Sequence, residues 1–304
     1  MASAAVRAAE AGDDRPPPGK IRDLDYGDVL FHFFQDDYFG ALVRLEAAGD
    51  LGRMPHHDAE ADLLSGGLYL SLGLHAEATR IFNRVLDESV PGSVRDRARF
   101  YLARIGYQRG YYDQAWDSLR KIDGTLPGLL ESERRLLEAN VLMAQGRYAD
   151  AAAVLRTAPS DDWGAYARFN LGVALVRSAD AVEGQRWLEA VGTMPAVSDE
   201  QLSLRDRANL ALGFARLQQR EAEPAVAALT RVRLDGPFTN RALLGLGWAE
   251  SDAKHPDRAL VPWLELREHR LLDSAVQESY LAVPYAYAQL ASNGQAAEQY
   301  RYAI

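Results

Sequence analysis

Five residues between positions 56 and 62 have the composition of a metal or acid-base centre: His56, His57, Asp58, Glu60 and Asp62. Imidazole nitrogens and carboxylate oxygens bind zinc, but a helical zinc pair needs its histidines three or four residues apart so that both rings leave one face. Adjacent histidines on a helix face apart. Asp58, following Pro55, reads as a helix N-cap, with Glu60 and Asp62 placed to favour the positive helix start. No metal is therefore expected. His32, His75, His255 and His269 have no partner at catalytic spacing, and the chain has neither a Gly-x-Ser-x-Gly elbow nor a phosphate-cradling glycine loop. With no cysteine, thiolate nucleophiles, disulfides and Cys-ligated zinc are excluded. Glu131, Glu133 and Glu138 read as a solvated helix face. No catalytic residue and no cofactor are assigned, and the expectation is a protein that is not an enzyme.

The elements that would have to position such residues are helices. From Tyr26 onward apolar residues recur at helical spacing, and no stretch alternates long enough to read as a strand. Alanine recurs at Ala41, Ala78, Ala115, Ala151, Ala225, Ala259 and Ala296, with Gly184 in the fifth slot, at intervals of 37, 37, 36, 33, 41, 34 and 37. A period of about 34 residues is that of stacked helical hairpins. Pro55, Pro91, Pro127, Pro159, Pro195 and Pro237 fall at the joints, near where each second helix should end, since proline interrupts helical hydrogen bonding. Small residues at Gly66, Ala103, Gly172, Gly213 and Gly247 let the two helices of a hairpin approach. Phe82, Leu119, Leu155, Leu188, Leu229, Trp263 and Tyr300 fill the space further along. Gly73, Gly110 and Gly146 mark tight turns.

Leu171-Gly172, Leu212-Gly213 and Leu246-Gly247, the turns Gly110-Tyr111-Tyr112-Asp113-Gln114-Ala115 and Gly146-Arg147-Tyr148-Ala149-Asp150-Ala151, and the closing prolines together resemble the tetratricopeptide-repeat family over residues 26 to 304. The resemblance implies an all-α superhelical solenoid of about eight helix-turn-helix repeats. The expected organisation is a flexible arm at residues 1–22, rich in Pro16-Pro17-Pro18-Gly19, followed by one repeat domain at residues 23–304. The first repeat departs from the pattern with a short leading helix, Gly27 to Gln35. The last ends at Ile304 without a capping helix, so continuation of the natural sequence is expected.

The resemblance also implies that the first helix of each hairpin lines the concave side. In that register one inner row reads Leu63, Phe100, Leu136, Phe169, Leu210, Leu244 and Leu281. A second reads Gly67, Arg104, Asn140, Val173, Phe214, Trp248 and Tyr285, and a third Leu70, Tyr107, Met143, Val176, Leu217, Ser251 and Ala288. Only Arg104 and Asn140 echo the Lys, Asn and Arg that co-chaperone members use to clamp a peptide carboxylate, so such a clamp is not expected. The groove-binding candidates are Phe100, Arg104, Tyr107, Leu136, Asn140, Met143, Phe169, Val173, Leu210, Phe214, Leu217, Trp248 and Tyr285. They either line an apolar groove or pack against one another. Arg97, Arg207 and Arg241 would rim such a groove, or pair with carboxylates such as Asp96 and Asp206.

A net charge of -9 argues against nucleic acid as a partner. Only three of the 34 cationic residues are lysines, Lys20, Lys121 and Lys254, a bias that reads with the abundant alanine as a GC-rich bacterial genome. No apolar run approaches the ~18 residues of a membrane helix. The small residues Ala2-Ser3-Ala4-Ala5 are of the kind found around a leader cleavage site. The expected function is a binding or scaffold protein of the bacterial envelope, periplasmic or outer-membrane-associated, whose apolar groove holds a partner protein segment. A cytoplasmic location stays open. The alternative is a lipid carrier of the hopanoid or sterol class that moves a hydrophobic molecule between membranes.

Overall fold

The computed structural model describes residues 21–157, 164–178, 180–270 and 272–303. The expected arm lies outside the described residues up to residue 20, as do Pro159 and Ile304. Sixteen helices and no strand occur among the described residues. The chain divides into two compact units, Met1–Pro159 and Ser160–Ile304. The first holds α1 (Leu24–Phe34), α2 (Tyr38–Asp50), α3 (Asp58–Ser71), α4 (His75–Asp87), α5 (Gly92–Gln108), α6 (Tyr112–Leu119), α7 (Leu129–Ala144) and α8 (Tyr148–Arg156). The second holds α9 (Gly164–Arg177), α10 (Ala181–Gly192), α11 (Asp199–Gln218), α12 (Ala222–Leu229), α13 (Thr239–Asp252), α14 (Pro256–Arg267), α15 (Ser274–Gln289) and α16 (Asn293–Tyr302).

Each unit is a run of four antiparallel hairpins. The alanine slot is buried in every hairpin, from Ala41, Ala78, Ala115 and Ala151 to Gly184, Ala225, Ala259 and Ala296. Opposite it sits the small residue of the first helix, and sixteen residues after that residue comes a bulky one. A Cβ built on Gly66 would stand 2.5 Å from the Phe82 ring, and one on Gly172 would stand 2.9 Å from Leu188; Gly213 and Gly247 face Leu229 and Trp263 still more closely. Glycine is required there because the bulky side chain occupies the volume a methyl group would need. Gly184, the departure from alanine, has its own cause: a Cβ would come within 2.7 Å of the Gly172 carbonyl and the Val176 amide. In this hairpin backbone meets backbone.

The turn inside seven of the hairpins repeats one geometry. Gly73, Gly110 and Gly146 have φ near +77 to +79°, and the next residue's N–H bonds the carbonyl five residues back, as in Leu74 to Tyr69 (2.9 Å) and Arg147 to Leu142 (2.8 Å). This is the Schellman closure, which calls for a left-handed residue. Asp36, Arg220, Lys254 and Ala291 take the same slot at φ between 57 and 67°, without glycine's freedom. Ala291→Gly is therefore expected to stabilise the fold by about 1 kcal/mol. Chemical denaturation reads this directly, and a loss of stability would contradict it.

The prolines do mark the joints: Pro55, Pro91, Pro127 and Pro237 sit nearer the start of the next hairpin, and Pro195 sits nearer the end of α10. Pro91 occupies the N-cap position of α5, and Pro127 and Pro237 precede α7 and α13 by two residues. Pro262 and Pro284 lie inside α14 and α15 without ending them.

Candidate functional site: the inner helix layer

The first helices of successive hairpins pack on one another as well as on their own partners: α3, α5 and α7 in the first unit, and α9, α11, α13 and α15 in the second. Second helices make no comparable contact among the described residues. Each unit therefore has an inner layer of first helices, and the three rows lie on it.

The leading row is mainly core. Leu63, Phe100, Phe169, Leu210 and Leu244 are buried, Leu136 is half-buried, and Leu281 is 61% exposed. Phe100, Phe169 and Leu210 accordingly offer no surface in this structure. The second row is where surface begins: Gly67, Arg104 and Asn140 in the first unit and Val173, Phe214 and Trp248 in the second are half-buried, and Tyr285 is 41% exposed. In the third row Leu70, Tyr107, Met143, Val176 and Leu217 are half-buried, Ser251 is buried and Ala288 exposed.

In the second unit the aromatic residues adjoin. Trp248 stands edge-on to the buried Trp263 at 4.9 Å and tilts against Tyr285 at 5.8 Å, while its Nε1–H donates to Glu278 Oε1 at 2.8 Å. The result is a Trp-Tyr surface held from beneath by core tryptophan and from the side by a carboxylate. Phe214 packs toward Gly245, where a Cβ would meet its Cζ at 3.1 Å.

The groups one turn earlier on these helices form a further row that the sequence reading recognised only in its arginines: Glu60, Arg97 and Glu133 in the first unit, Tyr166, Arg207, Arg241 and Glu278 in the second. Extending the three rows back by one helical turn would have found the carboxylates. Arg207 lies over the Phe169 ring at 4.9 Å, and Tyr166 donates to Glu200 at 2.6 Å; burial and that carboxylate push its hydroxyl up to about 12. The expected partners Asp96 and Asp206 are committed elsewhere. Asp96 accepts from Arg99 and the Gly124 amide, and Asp206 from the Arg233 side chain and amide.

Glu133 overturns the reading of a solvated carboxylate face. It is 8% exposed, and its Oε2 lies 3.6 Å from Arg104 Nη1, longer than a hydrogen bond, while Oε1 is buried without a partner. Burial pushes its carboxyl up to about 7 although Arg104 pulls it down. Glu131 and Glu138 are half-buried in an ion-pair network with Arg134, because α7 turns this face inward rather than to water.

The histidine cluster also differs from expectation. His57, not Asp58, occupies the N-cap position of α3, so neither histidine is helical and the face-apart rule does not govern them. Both Nδ1 atoms reach one carboxylate, Asp23, at 2.8 and 2.9 Å, and the His56 N–H donates to it at 2.8 Å. Tyr26 stacks on His57 at 4.6 Å. Burial pushes the Asp23 carboxyl up, but these hydrogen bonds together outweigh it and hold it at about 2. The cluster is a clasp joining α1 to the α2–α3 linker. Among the described residues no three His, Asp or Glu side chains are grouped to hold a metal ion.

A tetratricopeptide-repeat family model matches residues 136–191 and 210–269, which span hairpins with this geometry. These two segments carry tetratricopeptide repeats. Solved structures share the repeat fold at low identity. RapI in its apo form is 14% identical with a TM-score of 0.61, covering 88% of this chain and 86% of that one. The apo quorum sensor NprR from B. thuringiensis is 9% identical with a TM-score of 0.55, covering 92% and 97%. PilF of Pseudomonas aeruginosa is 20% identical with a TM-score of 0.52, covering 72% and 95%. No curated protein sequence matches this chain. Tetratricopeptide repeats are in general non-catalytic protein-interaction scaffolds, and no helix among the described residues is long and apolar enough to cross a membrane.

Proposed function

We propose that the protein is a non-enzymatic adaptor that holds an apolar segment of a partner protein on the inner helix layer of its second unit. The observation that carries this reading is the Trp248–Tyr285 pair: two large aromatic rings in contact on that layer, with Tyr285 41% exposed and Leu281 beside it on α15. Half-exposed aromatic anchors on a rigid helical base are what a groove for an amphipathic helix requires. Glu278 fixes the Trp248 ring, so its face is already oriented for contact. A bacterial envelope setting belongs to the same proposal and is tested by fractionation of the native host.

The test places a photoreactive benzoylphenylalanine at position 285 in the native host. A crosslink mapping to an apolar segment of one protein is expected. Tyr285→Glu should weaken binding of that segment at least about tenfold and leave the melting temperature nearly unchanged, because the exposed ring contributes little to the core. Tyr285→Phe should keep binding. A crosslink to extractable lipid would replace this reading with the hopanoid or sterol one, and no crosslink at all would reject both.

A further inference from the structure

Three of the nine phenylalanines are more than half exposed, and all three lie on the first hairpin: Phe31 and Phe34 on α1 and Phe39 on α2. On α1 they continue a stripe that begins at Leu24, itself 88% exposed, at intervals of seven and three residues, which is the spacing of one helix face. Gly27 lies within the stripe, and the exposed Ile21 rests beside it: a Cβ there would stand 3.4 Å from the Ile21 side chain. On α2, Phe39 and Val43 are exposed one turn apart, and Arg44, next to Val43, reaches Asp28 in the α1 stripe at 3.0 Å. That ion pair joins the two stripes at their edge. Taking about 200 Å² for a whole phenylalanine, the three rings alone leave on the order of 350 Å² exposed, already the size of the largest apolar patch on an ordinary monomer.

We infer that this face receives a basic amphipathic helix of a partner protein. The helical form follows from the stack. Within each unit the second helix of a hairpin packs on the first helix of the next: α2 on α3, α4 on α5 and α6 on α7, then α10 on α11, α12 on α13 and α14 on α15. Among the described residues α1 has no preceding helix against it, and its apolar stripe offers the kind of surface such a helix covers elsewhere. The charge follows from the hairpin's own residues. Between Leu24 and Asp50 stand six carboxylates and a single arginine. Arg44 is committed to Asp28, Asp25 has Arg53 only at 3.9 Å, and Asp50, two turns beyond Val43 on α2, is exposed without a partner among the described residues. A second copy would bring the same excess of negative charge, and an anionic membrane would be repelled. Residues 1–20 carry three basic and three acidic groups and, besides proline, only Met1 and Val6 as large apolar side chains, so they match neither the charge nor the rings. A helix with leucine-like residues on one face and Lys or Arg flanking them complements both. This face does not depend on the Trp248–Tyr285 surface.

The probe is an acetylated peptide amide made of two copies of Leu-Lys-Lys-Leu-Leu-Lys-Leu, with a counterpart in which Glu replaces Lys. Calorimetric titration of the full chain at about 50 mM salt should show saturable binding of the lysine peptide and none of the glutamate peptide. Phe31→Ser combined with Phe34→Ser should weaken it at least about tenfold and leave the melting temperature nearly unchanged, because the lost rings face outward. Phe39→Ser should weaken it about threefold from the other helix. Asp50→Lys, which removes no ring, should weaken it about threefold at low salt and leave it unchanged at about 0.5 M. Binding that survives loss of both α1 rings is general adhesion to an acidic protein and overturns the face. Binding abolished by Tyr285→Glu instead would place the peptide on the second unit and overturn it as well.

Benzoylphenylalanine placed at position 31 in the native host identifies the occupant. The expected adduct lies on a protein segment with net positive charge and apolar residues at helical spacing. An adduct on a second copy, on residues 1–20, on lipid or on a neutral or acidic segment overturns the proposal, and so does the absence of any adduct. Each of these outcomes leaves the crosslinking result at position 285 untouched, so the two readings fail separately.

Discussion

Trp263→Ala is expected to cost about 3–5 kcal/mol of stability, the range for deleting a large buried aromatic. Trp263 is wholly buried, packs edge-on against Trp248 and donates its Nε1–H to the Leu244 carbonyl at 3.2 Å. Three losses combine in the variant: apolar burial, a hydrogen bond inside the core, and the support beneath the Trp248 ring. Gly247 cannot compensate by backbone movement alone, because the space it leaves open is shaped for an indole. Urea denaturation of the two proteins measures the difference. A cost below about 1 kcal/mol would mean that the hairpin of α13 and α14 closes without its tryptophan.

Glu133→Gln is expected to raise stability by about 3 kcal/mol at pH 8 and to change it little at pH 4. In the folded chain the Glu133 carboxyl titrates at about 7, above its ordinary 4.5. The folded state therefore keeps a proton that the unfolded state releases. Below pH 4.5 both states are protonated and nothing is lost; as pH rises from 4.5 through 7, stability falls. One pH unit of displacement corresponds to about 1.4 kcal/mol, so the displacement from 4.5 to about 7, in which the pull of Arg104 is already included, corresponds to roughly 3 kcal/mol at pH 8. The amide carries no such penalty. Denaturation at pH 4, 6 and 8 should show a downward slope in the parent that the variant lacks, and parallel slopes would place Glu133 in a wetter site.

The repeat fold was legible because two periods of different origin coincide. Alanine marks where helices approach and proline marks most of the places where hairpins join; proline alone would have misled at Pro262 and Pro284, which lie inside helices. The tight turns at Gly73, Gly110 and Gly146 were readable for the same reason, whereas Arg220, Lys254 and Ala291 occupy identical turns with residues that give no signal. The inner rows were placed correctly on the first helices, but periodicity cannot say how deep a row lies. Phe100 and Trp248 look alike in sequence; the first is core and the second is half-buried, because neighbouring helices cover the leading row and stop short of the next. Glu133 was misread because a carboxylate on a charged helix suggests water, and only the packing of α5 on α7 reveals otherwise. Asp23 was missed because the pair it clasps lies more than thirty residues away along the chain.

The sixteen-residue interval between a small residue and its bulky partner has a consequence for how this sequence can change over generations. Gly66 with Phe82, Gly172 with Leu188, Gly213 with Leu229 and Gly247 with Trp263 share one fixed volume within each hairpin; Ala103 with Leu119 divides it differently, both buried in one cluster. A lineage that enlarges the first member is trapped until the second shrinks, and one that shrinks the second first passes through a cavity. Substitutions at the two positions should therefore arrive in pairs, so that among related sequences their side-chain volumes vary in opposite directions while the sum holds nearly constant.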